Sequence, residues 1–588
     1  MSDESKNPVQ SALFHRVQNS IFVDGKYTYR VFSVYERDIE PGAIFDEKRL
    51  KRRLLSKIMK MNNDRIRHYS KIENKELIYE TTPFKLVEFS FAREEENSTG
   101  GKYSIYPLEF ICNKCGKIYV AKTSDDLNNI PTRCTWKECH GKIEQNTIIM
   151  YCEECGSLST MNCYCIVANH GANYSHINRR SKEDIQTWET YCVKCKEDGG
   201  KSVDFMRFPC HCGGKRRPLP VRDGGVVSPV VMTFVDLEGK PKSDNSEAIR
   251  IAVYYGLLSN DQLRNVTPSL KLESEDLLEN IQLVIDAAEN PAVAEYAKNG
   301  MTYITRVIDQ VKMSFEDVDL DELNDIQAAL RQSSSYDDYL VSLPADKLAM
   351  YGDNYKKIKD EFKIFDIRYV KDLRVVMTAI GTIVGINKFY EEGFIPHFIP
   401  FRKRRTDEEI YAIASPIVTE GILFRLNPIE VCKWLRKNKH LDRIIDNESD
   451  ARVTLQHLAV DSEGYSAVKT LVHTLSHILI KQSSVYTGLD EGTCAELLFV
   501  SDASALIYST SNVNIGGFEY AFKYSIPNWF SCVMDSAEDC TLDPTCIKEE
   551  GKCFCCMYVP EFVCSNFNKQ LSRQSLIGGY FYEHGFWK

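Results

Sequence analysis

The residues of this chain that are suited to chemistry are its cysteines, and the densest run of them lies at 540–564. Six of the chain's 21 cysteines fall there, and one pair has the spacing Cys-x2-Cys. Such a turn presents two thiolates at the separation that one tetrahedral zinc ion needs, and single cysteines nearby can complete the set. The run therefore predicts a zinc site. Its candidate ligands are Cys540, Cys546, Cys553, Cys564 and one of the adjacent pair Cys555 and Cys556, because only one of two neighbouring cysteines can easily serve a given tetrahedron.

A second set of twelve cysteines occupies residues 110–215, and no cysteine lies between 213 and 431. Proximity divides the twelve into three groups of four, each opened by a Cys-x2-Cys pair. Four ligands fill a tetrahedral zinc site and leave no open position, which favours structural over catalytic zinc. His170 or His176 is an alternative ligand in the second group. The groups are Cys112, Cys115, Cys134 and Cys139, then Cys152, Cys155, Cys163 and Cys165, then Cys192, Cys195, Cys210 and Cys212.

Two histidines, His473 and His477, lie four residues apart in the clearest helical pattern of the chain. This spacing places both imidazoles on one face, as in a two-histidine metal site. The glutamate that follows the first histidine of a metalloprotease motif is missing, because Thr474 stands there. Packed core histidines are the favoured interpretation, and a metal-binding pair is the alternative.

Motifs for common enzyme chemistry are absent from the sequence. No GxxxxGK[ST] phosphate loop and no GxSxG nucleophile elbow occurs anywhere. We therefore expect a zinc-binding protein without catalytic residues of its own. A metal-dependent nuclease or hydrolase built on Asp223, Glu238 or the His473/His477 pair is one alternative. A zinc-ribbon scaffold in nucleic-acid processing is another.

The formal net charge of -10 argues against a uniformly basic nucleic-acid-binding surface. Two local basic stretches, Lys48–Arg53 and Arg402–Arg405, remain candidates for contact with DNA phosphates. Solvated faces of a helix or loop explain each stretch equally well.

No segment has the composition of a signal peptide or the apolar length of a membrane span, so we expect a cytoplasmic protein that binds no membrane. In a reducing compartment the cysteines are thiols or metal ligands rather than disulfides.

The hydrophobic pattern predicts how the elements that carry these residues are arranged. An amphipathic helix is expected over 46–62, strands over about 78–110, and helices with acidic polar faces over 244–365. The helical stretch resembles an insertion or arm. A solvated bundle is the favoured interpretation, and contact with a protein partner is the alternative. Mixed helices and strands return from 366, and the His473/His477 helix is among them.

We therefore predict an α+β multidomain chain. Its segments are a mixed α/β N-terminal region over 1–109, a multi-zinc ribbon module over 110–243, a helical region over 244–365 and a mixed α/β zinc-binding domain over 366–588.

Four features in the C-terminal part resemble one known family in their order and approximate spacing. They are the His473 helix, the Gly516-Gly517 turn, the Cys540–Cys546 run, and the segment from Cys553 through Pro560 and Cys564 to Arg573. They are similar to the helicase-associated zinc-binding domain of MrfA-type DNA-repair helicases, which also occurs as the separate DrmB-type proteins of the DISARM anti-phage system. Ser572 stands where that family favours Asp, and Cys555 is an extra cysteine.

The resemblance implies a function that the residues alone do not give. Proteins of this kind partner a superfamily-2 (SF2) type helicase, DrmA, and the pair engages DNA in a system that restricts phage. The chain would then be a non-catalytic accessory subunit that binds Zn2+. Five cysteines match the family positions at the C-terminus, and because one zinc takes four, Cys540 is the first that we would omit.

Overall fold

The computed structural model is a mixed α/β multidomain protein, which confirms the predicted fold class. Its described part contains 15 helices and five sheets. The structure describes residues 17–588 except 35, 70–74, 90–100, 124, 162–164, 166–169, 171, 180–184, 199–207, 222–225, 237–243, 259–276, 316–320, 386–394, 396, 404–406, 512–514, 561–562, 565 and 567.

The N-terminal part is built around one long helix. The Asp46 carboxylate accepts a hydrogen bond from the backbone N–H of Arg49 and so caps the helix start. Leu50, Leu54 and Ile58 are buried at the expected spacing, and the helix continues six residues beyond the predicted end. The segment before 84, expected as a strand, forms turns instead. The elements are β1 Ile21–Asp24, β2 Tyr27–Val34, β3 Glu36–Asp38, α1 Glu47–His68, β4 Phe84–Phe89 and β5 Gly101–Ile105.

The cysteine-rich part consists of short strands joined by tight turns. Three small sheets form here, with strand orders β7-β6-β8, β10-β9-β13 and β11-β12. These strands are two to five residues long. The elements are β6 Glu109–Cys112, β7 Ile118–Val120, β8 Ile143–Gln145, β9 Ile148–Cys152, β10 Leu158–Ser159, β11 Ser175–Asn178, β12 Glu189–Cys192, α2 Val193–Glu197 and β13 Arg216–Pro220.

The middle of the chain is helical, as predicted. These helices are not a separate arm, however, because apolar residues of α3 to α6 share one core with strands of the largest sheet. The elements are β14 Val227–Val235, α3 Asp244–Tyr254, α4 Leu277–Ala287, α5 Pro291–Ser314, α6 Asp321–Arg331, β15 Ser333–Ser335, α7 Tyr336–Val341 and α8 Ala345–Glu361.

The C-terminal part supplies the longest strands and the most buried helix. In α11, sixteen residues are buried, which fits its position between the sheet and the C-terminal segment. The elements are β16 Ile364–Val384, β17 His397–Pro400, β18 Ile410–Leu426, α9 Pro428–Lys437, α10 Glu448–Gln456, α11 Glu463–Thr487, β19 Cys494–Phe499, β20 Ser504–Ser509, α12 Gly517–Tyr524, α13 Ile526–Glu538, α14 Thr545–Lys548 and α15 Gln574–Ile577.

A nine-stranded sheet ties the segments together. Its main path is β14-β16-β18-β20-β19. Off this path, β15 and β17 pair with β16, β4 pairs with β18, and β3 pairs with β4. The pairing is antiparallel throughout except between β4 and β18, which run parallel with Ile410 opposite Phe84. The sheet thus takes strands from the predicted N-terminal, zinc-ribbon, helical and C-terminal segments. The domain boundaries themselves stay a prediction.

Both faces of this sheet are covered by helices. In β18, Ile422 and Phe424 pack on the side of α11, whereas Leu423 between them packs on the side of α3 to α6. Side chains alternate between faces along a strand, so a strand covered on both sides reads as an unbroken apolar run. This explains the continuous hydrophobic pattern of β18 and β20. Among the described helices, none combines the length and the apolar composition that a membrane crossing requires.

Candidate metal centres

The structure brings Cys112, Cys115, Cys134 and Cys139 together at the turn that follows β6. The sulfurs of Cys112 and Cys139 are 3.7 Å apart, and those of Cys115 and Cys134 are 3.6 Å apart. Four sulfurs bound at about 2.3 Å to one tetrahedral zinc lie about 3.8 Å from one another, whereas a disulfide would bring them to about 2 Å. The cluster therefore has the dimensions of a zinc site.

The second cluster differs in composition from the prediction. Cys152 and Cys155 meet Cys210 and Cys212, with sulfur–sulfur distances of 3.6 Å for the 152–212 pair and 3.5 Å for the 155–210 pair. The reason is strand pairing: β9 and β13 are antiparallel neighbours, and Arg216 lies opposite Cys152. Grouping cysteines by proximity in the sequence was wrong here, because the sheet joins residues about 60 positions apart.

The third cluster combines Cys165, Cys192 and Cys195 with His170. The Nδ1 atom of His170 lies 3.6 Å from the sulfur of Cys192 and 3.5 Å from that of Cys195, and the sulfurs of Cys165 and Cys195 are 3.4 Å apart. The sequence offered His170 or His176 to the group with Cys152 and Cys155, whereas the structure places His170 with Cys165, Cys192 and Cys195.

The other two residues proposed for this region do not enter the third cluster. His176 lies in β11, and its Nδ1 atom is 3.2 Å from the carbonyl oxygen of Tyr174. Cys163 lies outside the described residues.

The fourth cluster lies in the C-terminal run and consists of Cys540, Cys546, Cys553 and Cys556. Sulfur–sulfur distances of 3.5 Å for 540–553 and 3.6 Å for both 546–556 and 553–556 again match a zinc tetrahedron. The expectation that Cys540 would be the cysteine left out is not met. It is Cys564 that lies elsewhere, because the chain after Pro560 returns to α11.

In three of these clusters the pKa of one thiol is lowered toward the thiolate form, while burial and the neighbouring thiol raise the pKa of another, namely Cys115, Cys152 or Cys556. Burial raises the pKa of Cys112, but backbone N–H groups of the following turn outweigh it and bring the pKa down to about 7. Cys553 behaves in the same way, with a pKa of about 7. The hydrogen bond from Cys152 lowers the pKa of Cys155 to about 3 against the effect of burial. Thiolate, not thiol, is the form that ligates zinc.

A buried arginine holds the loop that carries two ligands of the fourth cluster. Arg573 is fully buried, and its Nη2 atom donates to both carboxylate oxygens of Asp543 at 2.8 Å. The same carboxylate accepts the backbone N–H groups of Cys540 and Ile547 at 3.1 Å and 3.0 Å. The Asp543 hydrogen bond raises the pKa of Arg573 despite burial. Arg573 thus sets the position of the Cys540–Cys546 turn.

The histidine pair forms a fifth group with two residues from other elements. His473 and His477 lie on α11, Glu496 on β19, and Cys564 in the C-terminal segment, and all four are buried. The favoured interpretation as core histidines is right about burial but missed the carboxylate and the thiol. Glu496 gave no signal, because it sits in an apolar strand with no spacing relation to the histidines.

The basic stretches are only partly available for nucleic acid. Arg49 and Arg53 of α1 form ion pairs with Asp321 and Asp325 of α6. These two arginines are therefore engaged within the protein, contrary to the interpretation of Lys48–Arg53 as one phosphate-binding stretch. In the second stretch, Arg402 donates to the carbonyl oxygen of Asp407, and residues 404–406 lie outside the described part.

The residues proposed for a hydrolase do not form an open site in the described part of the chain. His473 and His477 have no exposed surface. Asp223 and Glu238 lie outside the described residues.

Comparison with known proteins gives two matches. A family model described as a domain of unknown function, DUF8724, matches residues 37–231, which include the cysteines of the first three clusters. The DISARM protein DrmB of Bacillus paralicheniformis is 27% identical over 179 residues, covering 27% of this chain and 31% of that protein. The matched region thus spans under a third of the relative's length. The chain is similar to a DISARM component over part of its sequence.

Proposed function

We propose that this chain is a non-catalytic accessory subunit of a bacterial anti-phage defence complex, in which it partners an SF2-type helicase or translocase and helps that motor engage DNA in the cytoplasm. The observation that carries the proposal is the similarity to the DISARM protein DrmB. The resemblance of the C-terminal motifs to the helicase-associated zinc-binding domain supports the same function.

The geometry of the cysteine clusters supports a structural role for zinc in this subunit. Each of the four clusters brings together four ligand atoms within 4.8 Å of one another. A structural zinc site uses four protein ligands, whereas a catalytic site keeps a position for water or substrate. On this proposal zinc stabilises the folds that contact the motor and DNA and takes no part in a reaction.

An exposed basic stripe on α1 is our candidate for the DNA contact. Lys48, Arg52 and Lys60 are exposed and recur at multiples of four residues, which places them along one side of the helix. The opposite side buries Leu50, Leu54 and Ile58 in the core. Cations in such a row can follow a phosphate backbone without reading its sequence, so the affinity should depend strongly on salt.

Co-purification from the native host tests the partnership directly. We expect the tagged chain to bring down a large ATPase with helicase motifs, encoded next to it, and the pair to bind DNA more tightly than the ATPase alone. Deletion of the gene for this chain should remove protection against phage in a plaque assay. A chain that stays alone beside that ATPase and leaves its DNA binding unchanged would rule the proposal out.

A further inference from the structure

The fifth group has the geometry of a closed metal site made of mixed ligands. The Nε2 atom of His473 lies 3.1 Å from the sulfur of Cys564 and 3.1 Å from Oε1 of Glu496. The Nε2 atom of His477 lies 3.5 Å from the same carboxylate oxygen. For zinc bound to nitrogen, oxygen and sulfur at ordinary lengths, tetrahedral geometry separates such ligand atoms by about 3.4–3.6 Å. These three distances are close to those that one ion would impose, and all four ligand atoms lie within 4.8 Å of one another.

Hydrogen bonds on the outer side of each histidine direct both rings inward. The Nδ1 atom of His477 donates to the carbonyl oxygen of Met557 at 2.8 Å, and that of His473 lies 3.3 Å from the carbonyl oxygen of Gln570. An Nδ1–H that donates to a carbonyl leaves the Nε2 lone pair free, and this outer contact is the usual arrangement around metal-bound histidine. Both Nε2 atoms thus present lone pairs to the centre of the group.

The other two ligands are oriented in the same way. The hydroxyl of Ser476 donates to Oε2 of Glu496, so Oε1 is the oxygen left facing the histidines. The backbone N–H of Asn568 donates to the sulfur of Cys564 at 3.4 Å, as it would to a thiolate. Neither Oε1 of Glu496 nor Nε2 of His477 makes a hydrogen bond within the described part of the chain. With both Nε2 atoms unprotonated and Cys564 ionised, the four atoms that face the interior of the group are all acceptors.

Charge and burial favour a divalent cation at this centre. The side chains of His473, His477 and Glu496 are exposed by 0%, 0% and 1%, and Cys564 by 0%. Metal binding displaces the proton of a thiol, and the resulting thiolate and the carboxylate of Glu496 would be costly to bury without compensation. One divalent ion neutralises both and satisfies all four acceptors. Two imidazoles, one sulfur and one oxygen in a closed four-ligand set suit zinc better than magnesium or calcium, which prefer oxygen ligands.

We propose that His473, His477, Glu496 and Cys564 bind a fifth, structural zinc ion that fastens the C-terminal segment to α11 and β19. The carbonyl of Met557, which orients His477, follows Cys556 of the fourth cluster directly in the chain. The segment from 553 to 570 is therefore held on one side by the cysteine cluster and on the other by this site. The inference does not depend on the proposed function.

Zinc content of purified variants tests the proposal. We expect His473→Asn/His477→Asn to contain one zinc ion per chain fewer than the unaltered protein. Cys494→Ser is the matched control, because Cys494 is a buried cysteine on the same strand as Glu496 but belongs to none of the five groups. It should keep the full zinc content. A folded double histidine variant with unchanged zinc would overturn the proposal in favour of a metal-free ion pair between histidine and Glu496.

A measurement on the unaltered chain decides the matter even if the variants fail to fold. Crystals of the full-length protein, diffracted on both sides of the zinc absorption edge, should show an anomalous peak at bonding distance from all four ligand atoms. Peaks at the four cysteine clusters provide the internal reference. A map with those peaks and none between His473 and Cys564 would refute the fifth site.

Discussion

Cys555 and Cys556 are neighbours in the chain, yet their environments are opposite. Cys556 is buried and its sulfur lies 3.6 Å from those of Cys546 and Cys553, whereas Cys555 is exposed and belongs to none of the five groups. We expect Cys556→Ser to lose one zinc ion and expose the C-terminal segment to limited proteolysis, because structural zinc contributes on the order of 10 kcal/mol to small modules. Cys555→Ser should retain zinc and protease resistance, and equal losses would contradict the grouping.

Arg425 and Asp502 form a buried ion pair whose contribution depends on pH. Arg425 donates to the two oxygens of Asp502 at 2.9 Å and 2.7 Å. Burial raises the pKa of Asp502, but Arg425 outweighs it and holds the pKa below its usual value. A depressed carboxyl pKa stabilises the fold above the unfolded-state value of about 3.9, and this stability is lost as the pH falls through the folded-state pKa.

Asp502→Asn should therefore destabilise the protein by about 3–5 kcal/mol at pH 7, because it leaves Arg425 buried without its partner. In urea unfolding, the difference from the unaltered protein should shrink as the pH falls below about 4. Asp353→Asn, at an exposed position on α8, is the control and should change little. A difference that stays constant down to the lowest pH would show that Asp502 is not the titrating group.

At the scale of elements, the hydrophobic periodicity of the sequence predicted the helices, whose structure depends on residues close together in the chain. The apolar stripe of α1 and the pattern around His473 each predicted a helix, because one face of each is buried at helical spacing. The second and third clusters were not predictable in this way. Cys152 meets Cys212 because β9 pairs with β13. The residues in and around each strand do not show which other strand it will pair with.

The fifth group was even harder to predict from the sequence, because its residues come from three separate elements. Two of its residues were visible as a pair on one helix, but Glu496 and Cys564 come from a strand and a loop that reach α11 only in the folded protein.

The junction of β18 and β20 has no space for a side chain at Gly421. A methyl group there would lie 2.5 Å from the carbonyl oxygen of Ile507 in the neighbouring strand. Gly421→Ala should therefore shift the strands apart and reduce the free energy of unfolding by about 1–3 kcal/mol. Gly352→Ala is the matched control, since Gly352 lies in α8 with open space around it. It should instead stabilise the protein by up to about 1 kcal/mol in the same urea titration.

At the scale of the whole molecule, the nine-stranded sheet and the ion pairs between α1 and α6 fix the positions of distant parts of the chain relative to one another. The sheet unites strands from Glu36 to Ser509, and Arg49 and Arg53 join α1 to α6 through Asp321 and Asp325. The exposed basic stripe of α1 is therefore presented on a fixed support rather than on a free helix. A rigid row of cations loses little entropy when it meets a phosphate backbone.

This arrangement predicts how charge reversal should act on DNA binding. Lys48→Glu/Arg52→Glu/Lys60→Glu should weaken duplex binding and reduce the slope of log affinity against log salt by about 2 to 3, because three phosphate contacts are lost. Lys347→Glu/Lys356→Glu/Lys357→Glu changes the net charge by the same amount on exposed positions of α8 and is the matched control. Fluorescence anisotropy across a salt series measures both. If the two triple variants weaken binding equally, net charge rather than the stripe on α1 governs the contact, and the DNA-binding surface must lie elsewhere.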